Sequence, residues 1–133
     1  MILRTGVDLV EIHRFEKIDK GILERFLRRV FTPLELEQTG RSHVSLAGRF
    51  AAKEAVVKAL GSGIGVVHWK DVEILTDQDG APTLKLSGEA RRKAEVLHLL
   101  TWSLSISHTH THAISMAVAM GEEEFRNEAA GSQ

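Results

Sequence analysis

The run SISHTHTHAISMAVA places His108, His110 and His112 at alternate positions. On a strand all three would point to one side. Imidazole is a ligand type that suits zinc. Three rings fanned out in a row seldom close a tetrahedron, however. Thr109 and Thr111 also suit a turn between two strands. In that case His108 alone would be presented for use, with His110 and His112 exposed beside it. Far upstream, Asp8 is a lone carboxylate in the apolar run GVDLV. A buried carboxylate is costly unless it is paired, hydrogen-bonded or bound to a metal. The plainer alternative is that Asp8 caps a following helix. Glu54 and Lys58 stand four apart in a run crowded with alanines. They form either a surface ion pair or a carboxylate and a cation at a cleft. In the second case they suit Mg²⁺ and a phosphate, since Mg²⁺ takes one or two carboxylates plus phosphate oxygens and water.

Positioning such residues takes several elements. Ile2 to about Asp8 is expected as a strand, and Val10 to Ile18 has helical spacing. Ile22, Leu23, Phe26, Leu27 and Val30 continue at three and four. Thr32, Pro33 and Glu35 form a capping-box pattern for a short helix to about Gln38, stopped by Gly40. Ser42 to Leu60 is the strongest helix, with Leu46, Phe50, Val57 and Leu60 on one stripe and Gly61 as C-cap. Val72–Leu75 and Thr83–Leu86 flank the turn DQDGAP. Ser87 is placed to cap a helix over Glu89 to Leu99. Trp102–Ser107 and Ile114–Met120 alternate as two strands of a hairpin. The order predicts an α+β fold, an antiparallel sheet with helices packed on one face. A single catalytic domain over 1–121 and a mobile acidic tail over 122–133 are expected.

Bulk composition narrows the classes. The chain has 133 residues, 43% of them hydrophobic, so one globular core is expected. Cysteine is absent, which rules out disulfides, thiolate metal sites and a cysteine nucleophile. MILRTGVDLVEIHRF meets charge too soon for a secretory leader, and no apolar run approaches membrane-spanning length. A cytoplasmic protein is expected. The net charge of −1 argues against a nucleic-acid binder. Charge is unevenly spread, though. His13 to Arg29 holds six Lys/Arg against three Asp/Glu, which is either a solvated face or a basic docking surface for an acidic partner.

GVDLVEIHRFEK, FTPLELE, LAGRFAAKEAVVKALGSGIG, WKDVEI, DGAPTLKLSG and SLSISHTHTHA occur in this order. The chain resembles the holo-acyl-carrier-protein synthases, the small 4′-phosphopantetheinyl transferases, from Met1 to about Met120. The early G-x-D, the central F-x-x-K-E-A-x-x-K-A and the late S-I-S-H together carry the resemblance. It implies transfer of the 4′-phosphopantetheine arm of coenzyme A to a serine of apo-acyl carrier protein. Adenosine 3′,5′-bisphosphate is then the other product. It implies Mg²⁺ as cofactor on Asp8 and Glu54, with Lys58 near the phosphates. Glu54 is the expected base, acting directly or through a metal-bound water. His108 would line the coenzyme A site. Arg49, Gly61, Gly63, Pro82 and Ser107 are further candidates for nucleotide contacts. The resemblance also implies a homotrimer with sites between subunits, His108 coming from the neighbour of the chain that gives Asp8, Glu54 and Lys58. Arg14, with Arg25 and Arg28, would dock the acidic carrier protein, and Phe26 could add an apolar contact. His110 and His112 depart from the family pattern, which commonly has lysine and an aromatic residue there. Two rivals remain at this point: a zinc site on the three histidines, and a non-enzymatic module that binds an acidic protein.

Overall fold

The computed structural model describes residues 1–62 and 66–122. Gly63 and the tail from residue 123 lie outside the described residues. The elements in chain order are β1 (Ile2–Glu11), α1 (Arg14–Lys17), α2 (Lys20–Val30), α3 (Pro33–Thr39) and α4 (His43–Leu60). A 3-10 turn (Trp69–Asp71) follows, then β2 (Val72–Thr76), β3 (Pro82–Leu86), α5 (Gly88–Val96), β4 (Leu99–His108) and β5 (His112–Gly121). This is the expected α+β class. The strands form two antiparallel sheets rather than one: β1-β5-β4, and β2-β3 as a separate hairpin.

Local chemistry sets most helix ends where the sequence places them. Thr32 Oγ1 accepts from the Glu35 N–H at 3.1 Å, and Glu35 Oε1 accepts from the Thr32 N–H at 2.9 Å. Those two bonds complete the capping box that starts α3. Ser42 caps α4, and Gly61 ends it in the left-handed region at φ 71°. Two expectations fail at their edges. The helix expected over Val10–Ile18 shrinks to α1, because Val10 and Glu11 pair with Ala113 and His112 and keep β1 extended. The helix expected to reach Leu99 stops at Val96. His98 turns the chain at φ 59°, and Leu99 joins β4. Ser87 sits at the N-cap of α5 without a side-chain cap bond; its N–H donates to the Asp71 carbonyl instead.

α4 lies across the inner face of the larger sheet, and small residues bring it close. Ala51, Ala52, Ala55 and Ala59 are fully buried, as are Ala113, Ala117 and Ala119 of β5. At Gly6 of β1 a Cβ would collide with the Ala55 carbonyl, and at Gly48 of α4 it would meet Ile106 Cγ2 of β4 at 2.9 Å. One flank of α4 therefore sits on β1 and the other on β4. Leu46, Val57 and Leu60 of the expected stripe are buried. Phe50 joins an aromatic cluster with Phe15, Phe26 and Trp69.

The core also holds charge. Lys53 and Glu35 are both completely buried, with Nζ 2.9 Å from Oε1. Lys53 also donates to the Trp69 and Val72 carbonyls at 3.0 and 2.6 Å. On the outer face of the three-stranded sheet β1 and β5 expose Leu3, Val7, Leu9, Ile114, Met116 and Met120, while β4 turns Thr101, Ser103, Ser105 and Ser107 outward.

Candidate functional site

Asp8 stands in β1 between Gly6 and Val10, on the side that meets α4. It is mid-strand, so the N-cap alternative falls. Lys58, in the last turn of α4, donates to the Val7 carbonyl at 2.9 Å and to Asp8 Oδ1 at 3.2 Å. The expected surface pair between Glu54 and Lys58 is replaced by this bond across to the strand. The Lys58 side chain is 55% exposed and that of Asp8 only 16%, so the ammonium reaches into a half-open recess. Glu54 is one helical turn before Lys58 and half-buried. Its carboxyl is pushed above the ordinary carboxylate range, first by burial and then by the Asp8 charge, with Lys58 pulling the other way. Two carboxylates and one cation thus feel one another in one place.

A second recess opens on the other flank of α4. It is a cleft of ≈ 230 Å³, with Ser45, Gly48 and Arg49 from α4, Gly80 and Pro82 from the β2–β3 hairpin, and His108 from the end of β4. Arg49, Pro82 and His108 are therefore brought together as expected. Ser45, Gly48 and Gly80 join them unforeseen; the DQDGAP turn was the one sequence signal for Gly80. Asp8, Glu54 and Lys58 do not line this cleft. Ser107 alternates to the opposite, outer face of β4 and is exposed. Gly61 lies beyond the C-terminus of α4 beneath the Arg4 guanidinium. Arg49 is largely buried, and its Nη1 donates to the Ile74 carbonyl at 2.6 Å. Burial pulls its pKa down while Glu35 holds it up.

The histidine run resolves into a hairpin. His108 ends β4 and His112 begins β5. Between them Thr109 Oγ1 accepts from the N–H groups of Thr111 (3.2 Å) and His112 (3.1 Å). Among the described residues no three His, Asp or Glu side chains gather as a metal ligand set. The zinc alternative thus lacks its three-histidine cluster.

On the basic stretch, Arg14, Arg25 and Arg28 are all exposed. Arg14 edges a small apolar pocket lined by Val10, Phe15, Ile18, Phe26 and Phe50. Phe26 is half-buried against Phe15, so it serves the core and the pocket at once. Among the described residues no helix is long and apolar enough to cross a membrane.

A fold of this topology, with paired carboxylates by a lysine and a separate basic cleft, suits the transfer of a phosphate-bearing group. Residues 4–117 match the family model of the 4′-phosphopantetheinyl transferase superfamily, and the chain belongs to that superfamily. It is similar to the holo-[acyl-carrier-protein] synthase of Moorella thermoacetica, 44% identical over 132 residues, covering 96% of this chain and 99% of that one. It is 45% identical over 109 residues to that of Natranaerobius thermophilus, covering 80% of this chain and 87% of the relative. Among solved structures, Helicobacter pylori holo-[acyl-carrier-protein] synthase in complex with coenzyme A is 36% identical. It aligns with a TM-score of 0.79 over 87% of this chain and 99% of that one. The reaction is transfer of the 4′-phosphopantetheine arm of coenzyme A to apo-acyl carrier protein.

Proposed function

We propose that Asp8, Glu54 and Lys58 form the reacting half of the site and that the cleft around His108 holds the nucleotide end of coenzyme A. The observation that carries this is the Lys58 ammonium on Asp8 Oδ1, beside a Glu54 carboxyl that burial and Asp8 hold above its ordinary range. The donor set is oxygen only and doubly anionic, which fits Mg²⁺. Asp8 and Glu54 would hold it, and when bound it would supply charge neutralisation at the pyrophosphate. The serine hydroxyl of the carrier protein attacks the phosphorus that bears pantetheine, and the bond to the adenosine 3′,5′-bisphosphate oxygen breaks. Glu54 takes the serine proton, directly or through a water. Lys58 steadies the charge that grows on the leaving phosphate. Arg49, Pro82 and His108 orient the nucleotide; Gly61 and Ser107 do not line this cleft, and Gly63 stays a candidate from the resemblance alone.

The two halves flank α4 from opposite sides, which favours a site shared between subunits. The exposed apolar face of β1 and β5 is the surface that a second copy would cover, and the assembly we propose is a homotrimer. Arg14, Arg25 and Arg28, with Phe26 beside them, receive the acidic carrier protein. A cysteine-free chain of this kind suits the cytoplasm.

The test is intact-mass spectrometry of apo-acyl carrier protein after incubation with coenzyme A, Mg²⁺ and the enzyme. Wild type adds one phosphopantetheine arm, and EDTA abolishes the gain. Glu54→Gln, folded by circular dichroism, adds none; a fully active Glu54→Gln enzyme would overturn the assignment.

A further inference from the structure

β2 pairs with β3 along one edge, and among the described residues its other edge meets no strand. The backbone groups on that free edge are met by side chains of α3 and α4. The Val72 carbonyl accepts from Lys53 at 2.6 Å. The Ile74 N–H donates to Glu35 at 2.7 Å, and the Ile74 carbonyl accepts from Arg49 at 2.6 Å. The Thr76 N–H donates to Gln38 Oε1 at 2.8 Å, and the Thr76 carbonyl accepts from Gln38 Nε2 at 3.2 Å. Four side chains stand in for a neighbouring strand. A lone two-stranded hairpin is marginal in water, and the buried contacts of Lys53, Glu35 and Arg49 hold its body.

Gln38 differs from the other three. Lys53, Glu35 and Arg49 are buried, whereas Gln38 is exposed. Its amide grips both backbone groups of Thr76, accepts from Thr76 Oγ1 at 3.2 Å, and accepts from Arg49 Nη2 at 3.4 Å. Thr76 pairs with Pro82 at the turn end of the hairpin. Thr76, Gly80, Pro82 and Arg49 all line the cleft that contains His108. One surface amide therefore ties the hairpin tip to the cleft arginine.

We infer that Gln38 is a positioning residue for coenzyme A, its amide fixing the Thr76–Pro82 end of the hairpin and the Arg49 guanidinium where the nucleotide is received, an assignment that rests on reading this cleft as the coenzyme A site. Without the clamp the tip must be ordered at each binding event, and that ordering weakens affinity. Chemistry at Asp8, Glu54 and Lys58 lies on the other flank of α4 and is untouched.

Calorimetric titration of coenzyme A into wild type, Gln38→Leu, Gln38→Glu and His108→Ala tests this, alongside thermal unfolding and steady-state kinetics. Gln38→Leu is expected to bind coenzyme A about tenfold more weakly. Its kcat, its KM for apo-acyl carrier protein and its unfolding midpoint stay at wild-type values. Gln38→Glu keeps the acceptor toward the Thr76 N–H and Arg49 and recovers part of the affinity. If His108→Ala weakens binding but Gln38→Leu does not, the clamp is refuted and the cleft reading stands. If His108→Ala binds coenzyme A like wild type, the cleft reading itself fails. A Gln38→Leu protein that loses unfolding midpoint along with affinity makes Gln38 merely structural and also overturns the inference.

Discussion

Replacing Lys53 with methionine keeps the length of the side chain and removes its charge. Lys53 and Glu35 are both at 0% exposure, and the ammonium bonds Glu35, the Trp69 carbonyl and the Val72 carbonyl. Burial pulls the Lys53 pKa down, and Glu35 opposes that pull. After the substitution Glu35 keeps the N–H groups of Thr32 and Ile74 and the more distant Arg49 charge, but loses its bonded cation. Two buried carbonyls lose their donor as well. Breaking such a pair from one side costs about 3–5 kcal/mol, a large share of a domain stability of roughly 5–15 kcal/mol. Urea unfolding of wild type and Lys53→Met at one fixed protein concentration measures it; the concentration is fixed so that any subunit association weighs equally on both. Lys53→Met/Glu35→Leu recovers only part of the loss, because it removes the stranded carboxylate but takes the Glu35 charge from buried Arg49 and the acceptor from the Ile74 N–H. Lys58→Met is the contrast. Its exposed pair with Asp8 contributes at most about 1 kcal/mol, yet turnover collapses. A Lys53→Met protein within about 1 kcal/mol of wild type would refute the reasoning that one signature lysine holds the fold while the other does the chemistry.

Met116→Glu puts a carboxylate in the middle of the exposed apolar face of the three-stranded sheet. It is expected to shift the assembly to monomers by light scattering while the circular dichroism spectrum is kept; an unchanged mass would remove this face from the interface. Glu54→Gln is expected to raise the unfolding midpoint of EDTA-treated protein at neutral pH, because burial and Asp8 disfavour the ionised carboxyl. The sign follows from linkage: a raised folded pKa costs stability above it, so the gain fades as pH falls and wild type is protonated too. Thermal melts across a pH series check this, and a gain that grew toward acid would contradict it.

The signals written in single residues were legible. Thr32, Pro33, Glu35, Gly40 and Gly61 act locally, so their caps appear where the sequence puts them. Signals that depend on a partner were not. The helical spacing of Val10 to Ile18 loses to pairing with β5, which no local pattern announces. On β5 the alternation of Ile114, Met116 and Met120 with Ser115, Ala117 and Ala119 was visible. The small residues are the buried ones, however, because α4 needs close approach. Lys53 and Lys58 look alike in the sequence, since a buried lysine is told from an exposed one only by what folds over it. Asp8 and Glu54 are proposed as the reacting carboxylates through the resemblance, since their local sequence alone left plainer readings open. Gln38 carried no signal, because its partners are backbone groups of a hairpin 38 residues away.

The placement of α4 has a consequence for how the site is completed. Lys58 reaches β1 on one flank of the helix, and the cleft with His108 opens where the other flank meets β4. If one chain supplied both halves, mixing two inactive variants could never restore activity. If neighbouring subunits supply one half each, it can. Glu54→Gln keeps His108, and His108→Ala keeps Glu54. When the two are unfolded together and reassembled in equal amounts, random mixing in a symmetric ring leaves about a quarter of the interfaces with both groups intact. The mixture should then regain about a quarter of wild-type turnover, while either variant alone stays inactive under the same treatment. Recovery near that level requires the helix to act as a partition within each subunit and the interface to join what it separates. No recovery, with mixed assemblies confirmed by native mass spectrometry, would place both halves in one chain and demand a rearrangement around α4 when coenzyme A binds.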